Sequence, residues 1–319
     1  MRVLVTGMGG QLGTRVAQLL EARADVDEVV GLDAAPPRRQ LRRASFRHLD
    51  PADADAVAAF TTDVAPDVVA HLGVEEPHGG ASPRTAAERA RVGTEAVIAA
   101  AAATRRLARV VVRSGIEVYG RGRAHPSVPA EDAPTVPGSP FGRSCLHVEE
   151  VAFALGRVAG FPVVALRFAP VVGSHAPSPL GRLLRLPVVP VCAYADPPFS
   201  VVHTEDAAEA VVAAVVGDAN GPVNVVGVGA ATPWQAVRLG GRVPVPVGGP
   251  GWALAGALTE LAGAPVPPHV GELLRHGRTA DGSLAADVLG LRDLHHTQAA
   301  LAEVFEWASV TPLRAAAVA

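Results

Sequence analysis

The chain opens on a short apolar, β-branched run, Val3–Thr6, followed by a glycine-rich turn. Next comes Gln11–Arg23, whose apolar residues recur at helical spacing. A short buried run of this kind predicts a strand, and a 3.6-residue period predicts an amphipathic helix. The alternation continues. Further strands are predicted at Glu28–Asp33, Phe46–Leu49, Asp67–Leu72, Arg109–Ser114 and Val163–Phe168. Helical patterns separate them at Asp53–Thr61, Arg84–Arg105 and Phe141–Ala159. Strands that read as continuous apolar runs, joined by helices, predict a parallel sheet covered on both faces. Such crossovers are right-handed, so a doubly wound α/β fold follows.

After about residue 169 the pattern changes. Residues 173–200 are rich in proline and poor in periodicity, Glu205–Val216 reads as a helix, and Val223–Val226 reads as the last strand of the sheet. Residues 240–251 read as a Gly/Pro/Val-rich loop with a short strand, and Gln298–Trp307 as one of a few later helices. The expected organisation is a core over residues 1–168, completed by about 205–227. A smaller C-terminal substrate lobe is expected from 169–204 and 228–319, lying over the carboxyl ends of the strands, where such sheets bind ligands.

Composition narrows the chemistry. The chain has 319 residues, 49% hydrophobic but only 4% aromatic, so Ala, Val and Leu must build the core. A formal net charge of −3 argues against a general nucleic-acid binder. All 28 basic side chains are arginine; no lysine occurs. Schiff-base chemistry and a lysine-bearing phosphate loop are thereby excluded. Five arginines crowd residues 38–47, which reads either as a solvated face or as a clamp on a ligand phosphate. Two cysteines, Cys145 and Cys192, make no disulfide framework and fit a reducing cytoplasm. No apolar run reaches the roughly 20 residues of a membrane helix, and Trp252–Ala262 is short and contains Glu260. His71, Glu75, Glu76 and His78 come nearest to a ligand cluster but do not read as a metal site, and His295 with His296 reads as surface.

Between the first strand and first helix, Gly7, Gly10 and Gly13 form G-x-x-G-x-x-G. The first glycine permits the tight turn, the second lets a pyrophosphate approach the backbone, and the third lets helix and strand pack closely. The helix N-terminus then offers Gln11, Leu12 and Gly13 to the phosphates. Asp33 ends the second strand twenty residues past Gly13. An acid there accepts ribose hydroxyls and repels the extra phosphate of NADP. These features predict a Rossmann dinucleotide site that favours NAD over NADP, with Arg38 and Arg39 as the residues that would argue for NADP.

The ordered motifs resemble those of the extended short-chain dehydrogenase/reductase family, the NAD-dependent epimerase/dehydratase group, over about residues 1–230. TGMGGQLG, Thr6–Gly13, is similar to its TGxxGxxG. Asp50 sits where the family has an aspartate touching adenine, and DVVAHLG, Asp67–Gly73, resembles its strand-four motif. The resemblance implies that the backbone of Leu72, Gly73 and Val74 lines the cofactor. RVGTEAV, Arg91–Val97, is similar to N-V-x-G-T-x-x-V with Arg91 replacing Asn, and RSGIEVYG, Arg113–Gly120, to S-S-x-x-V-Y-G. LRFAPVVG, Leu166–Gly173, and FSVVHTEDAAEA, Phe199–Ala210, resemble later blocks.

The catalytic positions depart from the family. Its Y-x-x-x-K pair falls on Phe141 and Cys145, and its Ser/Thr position on Gly115. Phenylalanine transfers no proton, and a positioned acid–base group is worth roughly 10²–10⁴-fold. Weak substitutes are Ser114 and Glu117, with Cys145 as an alternative nucleophile; Tyr119 and His203 read as structural. Arg167, Arg182, Arg185 and Arg238 read as anion contacts or surface charges. Three functions are expected to compete. One is an NAD-binding sensor or assembly protein, one an enzyme of non-standard mechanism, and one a standard nucleotide-sugar epimerase, dehydratase or oxidoreductase. The resemblance implies a nucleotide-sugar-like ligand and a homodimer formed through the helices near 84–105 and 141–159.

Overall fold

The computed structural model describes residues 1–77, 82–121, 126–174 and 176–306. The first half alternates as the pattern predicts: β1 (Arg2–Thr6), α1 (Gln11–Glu21), β2 (Glu28–Asp33), β3 (Ser45–His48), α2 (Ala54–Val64), β4 (Val68–His71), α3 (Pro83–Ala103), β5 (Arg109–Gly115), a 3₁₀ turn over Ile116–Tyr119, α4 (Pro140–Ala159) and β6 (Val163–Phe168). The later elements are β7 (Val171–Val172), α5 (Pro179–Leu184), β8 (Val188–Cys192), β9 (Val202–His203), α6 (Thr204–Val216), β10 (Gly221–Val225), α7 (Pro233–Leu239), β11 (Val243–Val247), α8 (Gly251–Leu261), α9 (Pro268–His276), α10 (Ser283–Val288) and α11 (Thr297–Glu306).

Seven strands pair in parallel in the order β10-β6-β5-β4-β1-β2-β3. The chain starts at β1, builds outward through β2 and β3, then crosses to β4 on the other side of β1. That crossing makes the β1/β4 border the switch point of a doubly wound sheet, where ligands of such folds bind. The register places Thr6 beside both Leu32 and His71, so three carboxyl ends meet around one turn. α1 and α6 pack together on one face of the sheet, and α2, α3 and α4 in series on the other.

The sheet strands and their helices share one apolar core, with β4 and β6 buried at every position. A second core gathers Leu180, Leu184, Val191, Phe199, Leu273 and Leu301, all from segments after residue 169.

The proline-rich segments hold more regular structure than their periodicity predicts. Residues 173–200 contain α5 and β8, and β8 pairs in parallel with β11, VPVPV. Among the described residues β11 has a neighbour on one side only, which is where a strand tolerates proline. The stretch Trp252–Ala262 forms most of α8, with Leu254, Leu258 and Leu261 exposed. Among the described residues no helix is long and apolar enough to cross a membrane. His78 and Trp307 lie outside the described residues.

Candidate functional site

The turn after β1 is built for close approach. Gly7 has φ of +70°, a left-handed conformation that side chains disfavour. A Cβ on Gly13 would lie 2.1 Å from the Gly7 carbonyl oxygen, so only glycine lets α1 start this near the strand. Among the described residues no side chain caps the N-terminus of α1, and no acid stands in its first turn. Its leading amides and the positive end of its dipole are left to a ligand. At the end of β2, Asp33 accepts the Gly9 amide at 2.9 Å and the Ala35 amide at 3.3 Å. Burial pushes its carboxyl above the usual aspartate range despite those bonds.

A cavity of about 420 Å³ runs along the carboxyl ends of the strands. It brings together Gly7, Gly10, Gln11, Leu12, Gly13 and Asp33 with Leu72, Gly73 and Val74. Asp50 is not on its wall; the neighbouring Pro51 is. The Asp50 carboxylate instead accepts the Ala52 amide at 3.0 Å and lies 3.2 Å from Arg89, and these two hold its pKa down. Arg38 lines the cavity near Asp33, so one arginine of the basic run reaches the site. Residues that motif reading missed are Glu75, Glu76, Arg89 and Arg113, and Ala176, Pro177 and Ser178 from beyond β7. Only the position of Glu75 and Glu76 just past the strand-four motif signalled them in the sequence.

His71 braces this wall and is not arranged as a ligand. The Thr94 hydroxyl donates to the Ala90 carbonyl, so it accepts from His71 Nε2 at 2.9 Å. Nδ1 is then an acceptor, 2.8 Å from the Thr6 hydroxyl, whose oxygen takes the Gly73 amide at 3.2 Å. Burial lowers the His71 pKa to about 4, which keeps the ring neutral.

Both residues suggested as catalytic substitutes are packed away from the cavity wall. Ser114 is 2% exposed and donates to Glu149 at 2.5 Å. Arg167 clamps the same carboxylate through two nitrogens, at 2.9 and 2.7 Å, and donates to Tyr119, which donates to Asn224 at 2.7 Å. Arg167 is therefore neither an anion contact nor a surface charge; it ties β6 to α4 and to the 3₁₀ turn. Arg185 donates to the Val304 carbonyl of the second core, whereas Arg238 is exposed over the Trp234 ring and is a surface charge.

Glu117 is 4% exposed and 3.6 Å from Arg278, which also pairs with Glu272 at 2.9 Å. A Cβ on Gly115 would come within 2.3 Å of a Glu117 carboxylate oxygen. The space of a hydroxyl side chain there is thus filled by Glu117. Cys145 is fully buried, and burial with the nearby Glu117 pushes its thiol well above the usual range, which leaves a poor nucleophile. Phe141 is 7% exposed and its ring centroid lies 4.9 Å from that of His269. Tyr194 is exposed at the surface.

Among the described residues, His203, Asp206 and His295 bring potential ligand atoms within 4.8 Å of one another. Each side chain is already engaged. His203 accepts the Glu205 amide and meets Glu303 at 3.1 Å, and His295 Nδ1 meets Asp206 at 2.7 Å. His295 is accordingly part of an inter-element contact as well as of the surface.

The family model for the NAD dependent epimerase/dehydratase family matches residues 3–229. The chain belongs to that family. An uncharacterized protein of Mycobacterium tuberculosis, Rv0501, is 30% identical over 98% of this chain and 85% of its own length. A Mycobacterium bovis protein, Mb0513, matches equally. Among solved structures, UDP-glucuronic acid 4-epimerase from Bacillus cereus, in complex with UDP-glucuronic acid and NAD, superposes with a TM-score of 0.75 at 19% identity, covering 96% of this chain and 98% of that one. UDP-glucose 4-epimerase from Thermotoga maritima, with UDP-glucose, gives 0.74 at 20% identity over 96% and 98%. At such identities the likeness is one of fold.

Proposed function

We propose that this protein binds NAD in the glycine-loop cavity, takes a nucleotide-sugar-like ligand beside it, and works without a Tyr–Lys pair. The observation that carries the first part is the half-buried Asp33 carboxylate at the end of β2, in one cavity with the glycine turn and an uncapped helix N-terminus. Asp33 suits two ribose hydroxyls, the α1 amides suit the pyrophosphate, and the Leu72–Val74 backbone suits the far half of the dinucleotide. NAD, when bound, supplies a hydride acceptor. The structural neighbours that carry NAD and UDP-sugars support this ligand class.

The second part rests on the filled catalytic positions. Phe141 has no ionisable group, and Cys145 and Glu117 are buried and off the cavity wall. A standard epimerase or dehydratase would need groups there that this chain lacks. The protein is therefore read as a nucleotide-dependent binding or sensing protein, or as an enzyme whose proton-handling groups lie elsewhere. The two lobes fit either use: residues 1–168 with about 205–227 hold the dinucleotide, and the segments gathered in the second core close over it.

Protein purified without added nucleotide, denatured and examined by mass spectrometry should release NAD in molar amounts, or take it up on incubation. Retention of NADP alone would contradict the assignment of Asp33. Conversion of UDP-glucose at ordinary family rates would contradict the claim that the Tyr–Lys chemistry is gone.

A further inference from the structure

The cavity wall carries Glu76, and behind Glu76 stands a histidine from the C-terminal part of the chain. Glu76 Oε1 lies 2.8 Å from His269 Nε2, across 193 residues of sequence. The carboxylate is partly open to the cavity, with 19% of its side chain exposed, while His269 is only 4% exposed. One flank of the imidazole rests on the Phe141 ring. Among the described residues its second nitrogen, Nδ1, is buried with no hydrogen-bond partner.

Docking of α9 does not explain this pair. Val270, Leu273 and Leu274 already anchor that helix in the second core. A buried nitrogen without a partner is uncommon and calls for a reason. A carboxylate that faces a cavity while a buried imidazole holds its other side has the oriented geometry of a proton-transfer group. Arg113 lines the same cavity, where its charge also acts on Glu75, and places a cation beside an anionic ligand.

Resting on the NAD reading above, we propose that Glu76 is the proton acceptor for a hydroxyl of a sugar-nucleotide ligand, and that His269 is its positioning residue. In the forward step the ligand O–H bond breaks and the proton passes to the Glu76 carboxylate. The electron pair of the adjacent C–H bond leaves as hydride to the oxidised nicotinamide, and the ligand carbon becomes a carbonyl. In the reverse step a hydride from the reduced nicotinamide would return to the carbonyl carbon as the proton returns from Glu76 to its oxygen. His269 keeps the carboxylate in one rotamer through Nε2, and Phe141 shields the imidazole from water.

The test is calorimetric titration of the full chain, wild type and Glu76→Gln, with NAD, UDP-glucose, UDP-glucuronic acid and UDP. The UDP-sugars are titrated with and without NAD. The expected result is unchanged affinity for NAD and UDP. At least one UDP-sugar binds the wild type, and the variant loses about tenfold or more of that affinity, as removal of one hydrogen bond to a charged group implies. NADH formation, read by absorbance, should fall about 10²-fold or more in Glu76→Gln. In His269→Gln it should fall in kcat with little change in KM, and Glu76→Asp should recover part of it. Equal UDP-sugar affinity and equal NADH formation in wild type and Glu76→Gln would overturn the proposal, and so would a wild type that binds neither sugar nucleotide. A wild type that binds UDP-sugars but not NAD refutes the parent reading instead, and the titrations without NAD still report on Glu76. If Glu76→Gln does not fold, Glu76→Asp and His269→Gln carry the same comparison.

Discussion

Acid should loosen the wall of the cavity through His71. The folded protein holds this ring neutral, with a pKa near 4, whereas an unfolded chain titrates it at the ordinary 6.5. Below 6.5 the unfolded state takes up a proton that the native state refuses. The stability contributed by the neutral ring is therefore complete above 6.5 and is lost as the pH falls toward 4. Between about pH 7 and pH 4.5 this one group should remove on the order of 2 kcal/mol. The same protonation would turn Nδ1 from an acceptor into a donor beside Thr6, whose oxygen holds the Gly73 amide on the cavity wall. Urea unfolding of wild type and His71→Gln at the two pH values isolates the effect, because the other titrating groups are common to both. The variant should be less stable at neutral pH, and its further loss on acidification should be smaller by about that amount. Parallel losses in the two proteins would refute the reasoning.

At pH above the usual aspartate range, Asp33→Asn should raise the stability of the ligand-free protein, because burial disfavours the native carboxylate, while weakening NAD about tenfold; thermal melts with and without NAD show both signs. Gly13→Ala should abolish NAD binding and lower the melting temperature, since its Cβ meets the Gly7 carbonyl at 2.1 Å. Arg167→Met should destabilise by ~3–5 kcal/mol in urea, because Glu149 would be left buried without its partner, whereas Ser114→Ala should change stability by only about 1 kcal/mol.

The alternation of strands and helices was legible because buried parallel strands are continuous apolar runs and each helix shows a single apolar face. The glycine turn and Asp33 were legible for a different reason: their roles follow from local chain geometry, and the residues lie within one βαβ unit. Asp50 shows the limit of motif alignment. Arg89, on α3, draws its carboxylate aside, and nothing near Asp50 in the sequence announces that contact. Ser114, Glu117 and Arg167 were polar residues beside the expected site, and their use in buried pairs depends on Glu149, Arg278 and Glu272 from other elements. The Glu76–His269 contact is the extreme case. The partners are so distant in sequence that only the packing of α9 against α4 and the cavity brings them together. Proline spacing in β8 and β11 concealed a parallel pair because edge strands have no need of a full set of amide donors.

The most direct test of the account is a calorimetric titration of the purified chain with NAD and, separately, NADP. Saturable binding of one NAD per chain, tighter than NADP and lost in Gly13→Ala, is the predicted result. No saturable binding of either dinucleotide, or tighter binding of NADP, would contradict the reading of the glycine turn and Asp33 on which the proposed function stands.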